Sequence, residues 1–252
     1  MKNKKNILSP TELMHESGAF IEKMSSMKAM EIMLADHNTA INVVKQNLEN
    51  IKNIVEKIIF KLSHNTNSKL IFAGAGTSAR IAVQDGAELY PTFGWPKDRL
   101  AFVIAGGMSS ILFSRENAED NEETPSVFLD EINAKEEDVL IALAASGNTT
   151  FTSSVIKVAN SIGVYTISIS NNPYGEINLL SNDNIILNTG PEILQGSTRL
   201  KAGTAQKVCL NLITTLVMAK LGRVKNGQMI EMVASNRKLR ERKNRIIKNL
   251  NL

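Results

Sequence analysis

The side chains best suited to chemistry in this chain sit at two short turns and on a few isolated carboxylates. Residues 74–78, GAGTS, offer Gly76, Thr77 and Ser78; residues 145–150, ASGNTT, offer Ser146, Gly147, Asn148 and Thr149. Each turn follows an apolar run and precedes a helical pattern. Its backbone N–H groups are unhindered, its hydroxyls are short, and the positive end of the next helix faces it. An oxyanion such as phosphate is the natural guest. Ser and Thr also cap helices for purely structural reasons, so two such turns in one sheet carry more weight than either alone. GxxxxGK[ST] is absent, and Ala79 stands where GxGxxG needs its third glycine, which points to one phosphate rather than a pyrophosphate. An acid, Glu88, follows the first turn at the far end of its helix, just ahead of Pro91. Taken by itself it reads as a solvated helical glutamate.

Five apolar runs must position these turns: 69–74, 100–105, 138–144, 164–170 and 184–188. Helical patterns lie between them near 78–90, 107–116, 125–134, 149–162 and 175–181. Fully apolar strands alternating with helices predict a parallel sheet covered on both faces. Ligands of such sheets bind outside the carboxyl ends of the strands, where both turns fall. Residues 27–63 read as two helices, with Met27, Met30 and Met33 as core packing at helical spacing. Two long helices, 198–221 and 227–249, close the pattern, punctuated by Gly222 and Gly227. The expected organisation is a helical segment over 1–63, an α/β domain over 64–222 and a basic helix over 223–252.

At 252 residues with 43% hydrophobic content, the chain suits a globular domain with helical additions. No apolar run reaches the roughly 20 residues of a membrane helix. The basic opening has no hydrophobic segment behind it, so no secretory signal is expected and the address reads as cytoplasmic. Cys209 is the only cysteine, which excludes a disulfide framework or a thiolate metal cluster within one chain. His15, His37 and His64 all precede the first strand, so metal-assisted chemistry is not expected and no cofactor is called for. The net charge of +4 is local. Residues 236–252 carry Arg237, Lys238, Arg240, Arg242, Lys243, Arg245 and Lys248 against Glu241, a net +6, and the rest of the chain is −2. One basic end without an aromatic platform does not make a nucleic-acid binder.

The two turns and the core around them resemble a sugar isomerase (SIS) domain, a three-layer αβα sandwich on a five-stranded parallel sheet of flavodoxin-like order. The resemblance then narrows. GAGTSAR, AELYPTFG, VIAGG, NAEDNEE, ALAASGNTT, TGPEILQGSTRLKAGTAQK and NRKLRER stand in the order and spacing of the N-acetylmuramic acid 6-phosphate etherase family over about residues 25–248. Glucokinase regulatory proteins, which bind sugar phosphates without turning them over, share the signature. The resemblance implies a cofactor-free lyase acting on N-acetylmuramic acid 6-phosphate, with the family's two catalytic glutamates falling on Glu88 and Glu119. Glu119 would take the C2 proton. Glu88 would protonate the departing lactate oxygen and then activate water. Carboxyl groups can take each of these tasks in an elimination beside an aldehyde. Ser197, Thr198 and Lys201, in GSTRLKAGT, are expected at the edge of the sheet, with Lys201 meeting a sugar oxygen, an acid or a structural ion-pair partner.

The chain departs from the family at several of these positions. Ala79 replaces a glycine, Leu89 and Tyr90 adjoin Glu88, and Asn148 and Thr150 replace an arginine and a proline. The helical cap that usually ends the family's members has no counterpart after residue 248. A non-catalytic sugar-phosphate regulator and an aldose–ketose isomerase on the same fold are the competing functions. Ser78 and Glu88 are ten residues apart, about 15 Å along an unbroken helix, while a hexose spans about half of that. Unless the helix breaks near Gly86, Glu88 is expected to serve a cavity on a partner subunit, in a homodimer.

Overall fold

Five parallel strands pair in the order β2-β1-β3-β4-β5: β1 Leu70–Gly74, β2 Leu100–Ile104, β3 Val139–Ala144, β4 Tyr165–Ser170 and β5 Asp183–Ile186. The computed structural model describes residues 9–18, 20–113, 118–120 and 124–250. All five expected strands form. β1 and β3 are buried along their whole length. Alternate side chains serve opposite faces, as strand geometry requires. Leu70, Phe72, Ile141 and Leu143 point to one layer, while Ile71, Ala73, Leu140 and Ala142 point to the other.

The first layer is built from α2 (Leu48–His64), α3 (Gly76–Ala87), α4 (Leu89–Phe93) and α8 (Lys201–Met218). The second uses α5 (Thr124–Glu131), α6 (Thr150–Ile162) and α7 (Glu176–Leu180). Helix α1 (Ser26–Gln46) starts at Ser25, whose Oγ accepts from the Lys28 N–H at 3.3 Å, and lies against α8. Asn47 joins α1 to α2 and is pinned on both sides. Its Nδ2 donates to the Val43 carbonyl at 2.8 Å and to the Ile186 carbonyl of β5 at 3.1 Å.

Four expectations need correction. Met27 and Met30 are not core residues: they are 64% and 55% exposed, and with Leu34 and Ile41 they line one side of α1. The buried side of α1 carries Ala40, Val43 and Val44 instead. The helix expected over 107–116 is a 3-10 turn, Met108–Ile111, as far as the described residues extend. The chain reaches it through Gly106 and Gly107, both at φ 74°. The helix expected from 198 starts at Lys201. The helix expected over 227–249 is a hairpin followed by a shorter helix: β6 (Val224–Lys225) and β7 (Gln228–Met229) pair antiparallel, and α9 runs over Arg237–Leu250. Asn226 and Gly227, at φ 49° and 71°, form the two-residue turn, whose mirror-image geometry matches strand twist and favours Asn-Gly.

Candidate active site

In this strand order the sheet's direction of winding reverses between β1 and β3, and these two strands are neighbours, with Gly74 opposite Leu143. The two glycine and hydroxyl turns therefore lie side by side at the crevice where doubly wound sheets bind ligands. A cavity of about 370 Å³ opens there, lined by Gly76, Thr77 and Ser78 from the first turn and Ser146 and Thr149 from the second. Such a volume lies near the small end of the roughly 300–1,000 Å³ usual for small-molecule sites. The N-termini of α3 and α6 converge on it, so unpaired N–H groups and two helix dipoles favour an anion.

The first turn depends on Gly76, which opens α3 at φ 54°, a region L-residues with a Cβ rarely adopt. A Cβ there would come within 2.8 Å of Glu119 Oε1. Glu119, on the short turn Ala118–Asp120, thus lines the same cavity as both hydroxyl turns. The second turn depends on Gly147, at φ 70°, because a Cβ on it would lie 2.6 Å from the Gly175 Cα. Asn148 is part of that framework and not of the cavity lining. Its N–H donates to Ser146 Oγ at 3.2 Å, and its Oδ1 accepts from the Glu176 N–H at 2.9 Å, fixing the turn to the start of α7.

Of the remaining expected residues, Thr198 lines the cavity, while Ser197, half-buried beside it, does not. Lys201 does not line it either. Its Nζ lies 2.6 Å from Asp36 Oδ1, with both side chains buried, so of the partners expected for Lys201 the structure supplies the ion pair. Glu88 ends α3 as its C-cap and begins α4, with φ −80° and ψ −12°. The helix thus breaks at Glu88, two residues beyond Gly86. The side chain is exposed and is not part of the cavity wall in its own chain.

The two neighbouring departures are absorbed elsewhere. Leu89 is buried in the first layer with Trp95, and the Tyr90 ring carries Lys97 Nζ at 4.5 Å from its centre.

Besides Ala75, Ala144 and Ala145 at the strand ends, three lining residues were not anticipated. Arg80 follows the first turn by one helical turn, the spacing that puts it on the same face. Its Nε donates to the Ile111 carbonyl at 2.8 Å and Nη2 to the Ser110 carbonyl at 3.3 Å, holding a guanidinium at the cavity. Gly196 and Glu12 complete the wall. Nothing in the local pattern around Glu12 marks it.

A larger concavity of about 610 Å³, between α2 and the first residues of β4 and β5, contains Phe60, Tyr165 and the Lys57–Asp183 ion pair at 2.7 Å. It lies at the amino ends of the strands, without a glycine turn or a helix N-terminus aimed into it. The chemistry favours the smaller cavity. Among the described residues, no three His, Cys, Asp or Glu side chains converge as a metal site would require.

Fold and cavity define an SIS-type α/β protein with an anion-suited crevice between β1 and β3. The model of the glucokinase regulatory protein N-terminal SIS domain matches residues 50–160, and that of the SIS domain matches residues 116–216. A putative phosphosugar isomerase from Bacteroides fragilis NCTC 9343 superposes with a TM-score of 0.58 at 17% identity, covering 81% of this chain and 95% of that one. A phosphoheptose isomerase from Neisseria gonorrhoeae gives 0.57 at 18%, covering 77% and 100%. At such identities these two share the fold alone. The sequence relatives go further: an N-acetylmuramic acid 6-phosphate etherase from Geobacillus sp. (strain WCH70) is 39% identical over 94% of this chain and 80% of its own length. One from Histophilus somni (strain 129Pt) is 36% identical over 97% and 82%. The chain belongs to the N-acetylmuramic acid 6-phosphate etherase family.

Proposed function

We propose that this protein cleaves the D-lactyl ether of N-acetylmuramic acid 6-phosphate, giving N-acetylglucosamine 6-phosphate and D-lactate. The observation that carries the reading is the position of Glu119, whose carboxylate shares one cavity with both phosphate-type turns. The 6-phosphate would take the N–H groups and hydroxyls of Thr77, Ser78, Ser146 and Thr149, with Arg80 as the nearby cation. In the open-chain aldehyde the C2 proton is acidified by the carbonyl, and Glu119 removes it. The C2=C3 bond forms as the C3–O bond breaks, and Glu88 delivers a proton to the departing lactate oxygen. Water, deprotonated by Glu88, then adds at C3 while C2 regains a proton, so the two steps together consume one water.

Glu88 stands outside the cavity of its own chain, which supports a second part of the proposal. The active species is a homodimer in which each subunit's Glu88 serves its partner's cavity. The apolar stripe of Met27, Met30, Leu34 and Ile41 on α1 offers surface for such a pairing. We assign the protein to the cytoplasm, where a phosphorylated sugar is retained; among the described residues no helix is long and apolar enough to cross a membrane.

Purified protein incubated with N-acetylmuramic acid 6-phosphate should release D-lactate and N-acetylglucosamine 6-phosphate in equal amounts. Binding without lactate release would make the protein a sensor. Conversion of a hexose 6-phosphate between aldose and ketose would make it an isomerase.

A further inference from the structure

Glu12 reaches the cavity from a part of the chain remote from every other lining residue. The stretch over residues 9–18 is fastened to the body of the protein at several points. Thr11 is fully buried. The Gln195 Nε2 donates to the Glu12 carbonyl at 2.8 Å. His15 Nε2 lies 3.2 Å from Asp36 Oδ1, the same oxygen that holds the buried Lys201 ammonium. Gly18 runs so close to the Ile193 carbonyl that a Cβ would lie 2.4 Å from its oxygen. These attachments bring the Glu12 carboxylate to the cavity wall beside Gly196, with Oε2 3.3 Å from where a Cβ on that glycine would stand. Among the described residues the carboxylate has no hydrogen-bond or ion-pair partner.

Electrostatics decide what such a group can contact. A carboxylate repels a phosphate dianion but is a strong acceptor for an uncharged donor, and a charge-assisted hydrogen bond is about twice as strong as a neutral one. The anion is served at the ends of α3 and α6, whereas Glu12 sits on the side formed by residues 196–198. We propose that Glu12 is a substrate-positioning residue that accepts a hydrogen bond from a hydroxyl group of the sugar and so selects the carbohydrate part of the ligand. The proposal rests on the sugar-phosphate reading of the cavity but not on turnover.

The experiment compares two probes, N-acetylglucosamine 6-phosphate and inorganic phosphate, by calorimetry on wild type, Glu12→Ala and Glu12→Gln. Glu12→Ala should weaken the sugar phosphate roughly ten- to a hundredfold, the range for a hydrogen bond to a charged group. Inorganic phosphate affinity and the melting temperature should stay at wild-type values. Glu12→Gln, which keeps a carbonyl acceptor, should fall between. In turnover of N-acetylmuramic acid 6-phosphate, Glu12→Ala should raise KM far more than it lowers kcat. Equal weakening of both probes, a lowered melting temperature with unchanged probe selectivity, or a kcat collapse in Glu12→Gln at unchanged KM would each overturn the assignment. If the wild type releases no lactate, the etherase reading fails, and the two-probe comparison still decides the role of Glu12.

Discussion

Glu119 Oε1 stands 2.8 Å from the point a Cβ on Gly76 would occupy, so the residue that opens α3 and the carboxylate at the cavity mouth share one space. Gly76→Ala therefore acts twice. It strains a backbone at φ 54°, costing on the order of 1 kcal/mol, and it pushes the Glu119 carboxylate aside. Misplacement by about 1 Å can cost roughly a hundredfold in rate. The expected result is a modest drop in melting temperature with a much larger loss of lactate release. Retention of near wild-type kcat would show that Glu119 need not occupy that position.

The five strands were legible because burial on both faces turns each into an unbroken apolar run, and the two turns because small and hydroxyl residues follow two of those runs. Their adjacency is carried by the family resemblance, whose flavodoxin-like order pairs β1 with β3, and not by the residues around either turn. It comes from β1 and β3 pairing across the intervening β2, a fact of strand order that no local pattern encodes. The direction in which the α1 stripe faces is not encoded locally, because Met27 and Met30 have the same period whether they face core or solvent. Asn226-Gly227 carries a hairpin signal that competes with Gly227 as a break between helices, and the strand pairing decides for the hairpin. Glu12 was invisible in principle, since only tertiary attachments far along the chain bring it to the cavity.

Asp85 fixes the end of α3 that leads to Glu88. It is 3% exposed; Oδ1 accepts from Lys207 Nζ and Asn211 Nδ2, both at 2.6 Å, and Oδ2 accepts from Thr214 Oγ1 at 2.7 Å. Asp85→Ala leaves Lys207 and Asn211 on α8 without this acceptor, while the Thr214 hydroxyl can turn wholly to the Leu210 carbonyl at 2.9 Å. The Lys207 side chain keeps 30% exposure, so its charge stays partly hydrated and the cost falls below that of a fully buried pair. About 2–3 kcal/mol is expected. Chemical denaturation should show a lower midpoint at unchanged slope; an unaltered midpoint would mean that α3 and α8 are held by apolar packing alone.

Glu192 gives the stability a pH dependence with a definite sign. Burial pushes its carboxyl above the usual range, partly offset by N–H donation from Ala202 and Lys201 and by the Lys201 charge. A group whose folded value is raised contributes fully below its unfolded value, and that contribution is lost as pH rises through the folded value. Glu192→Gln keeps an acceptor and cannot ionise. The stability of wild type relative to Glu192→Gln should therefore decline as pH rises from about 4 toward neutrality, starting near the ordinary glutamate value of about 4.3. A relative gain over that window would mean that the two N–H bonds outweigh burial.

A site shared between subunits predicts recovery of activity on mixing. Glu88→Gln and Glu119→Gln should each be inactive alone while still binding inorganic phosphate. In a heterodimer of the two, the Glu88→Gln subunit contributes a cavity with its own Glu119 intact and receives Glu88 from its partner. The other cavity lacks both acids. Random exchange makes about half the dimers mixed, each with one complete site, so activity should return to roughly a quarter of wild type. If both glutamates instead served the cavity of their own chain, no combination would assemble a complete site, and the mixture would stay as inactive as its components.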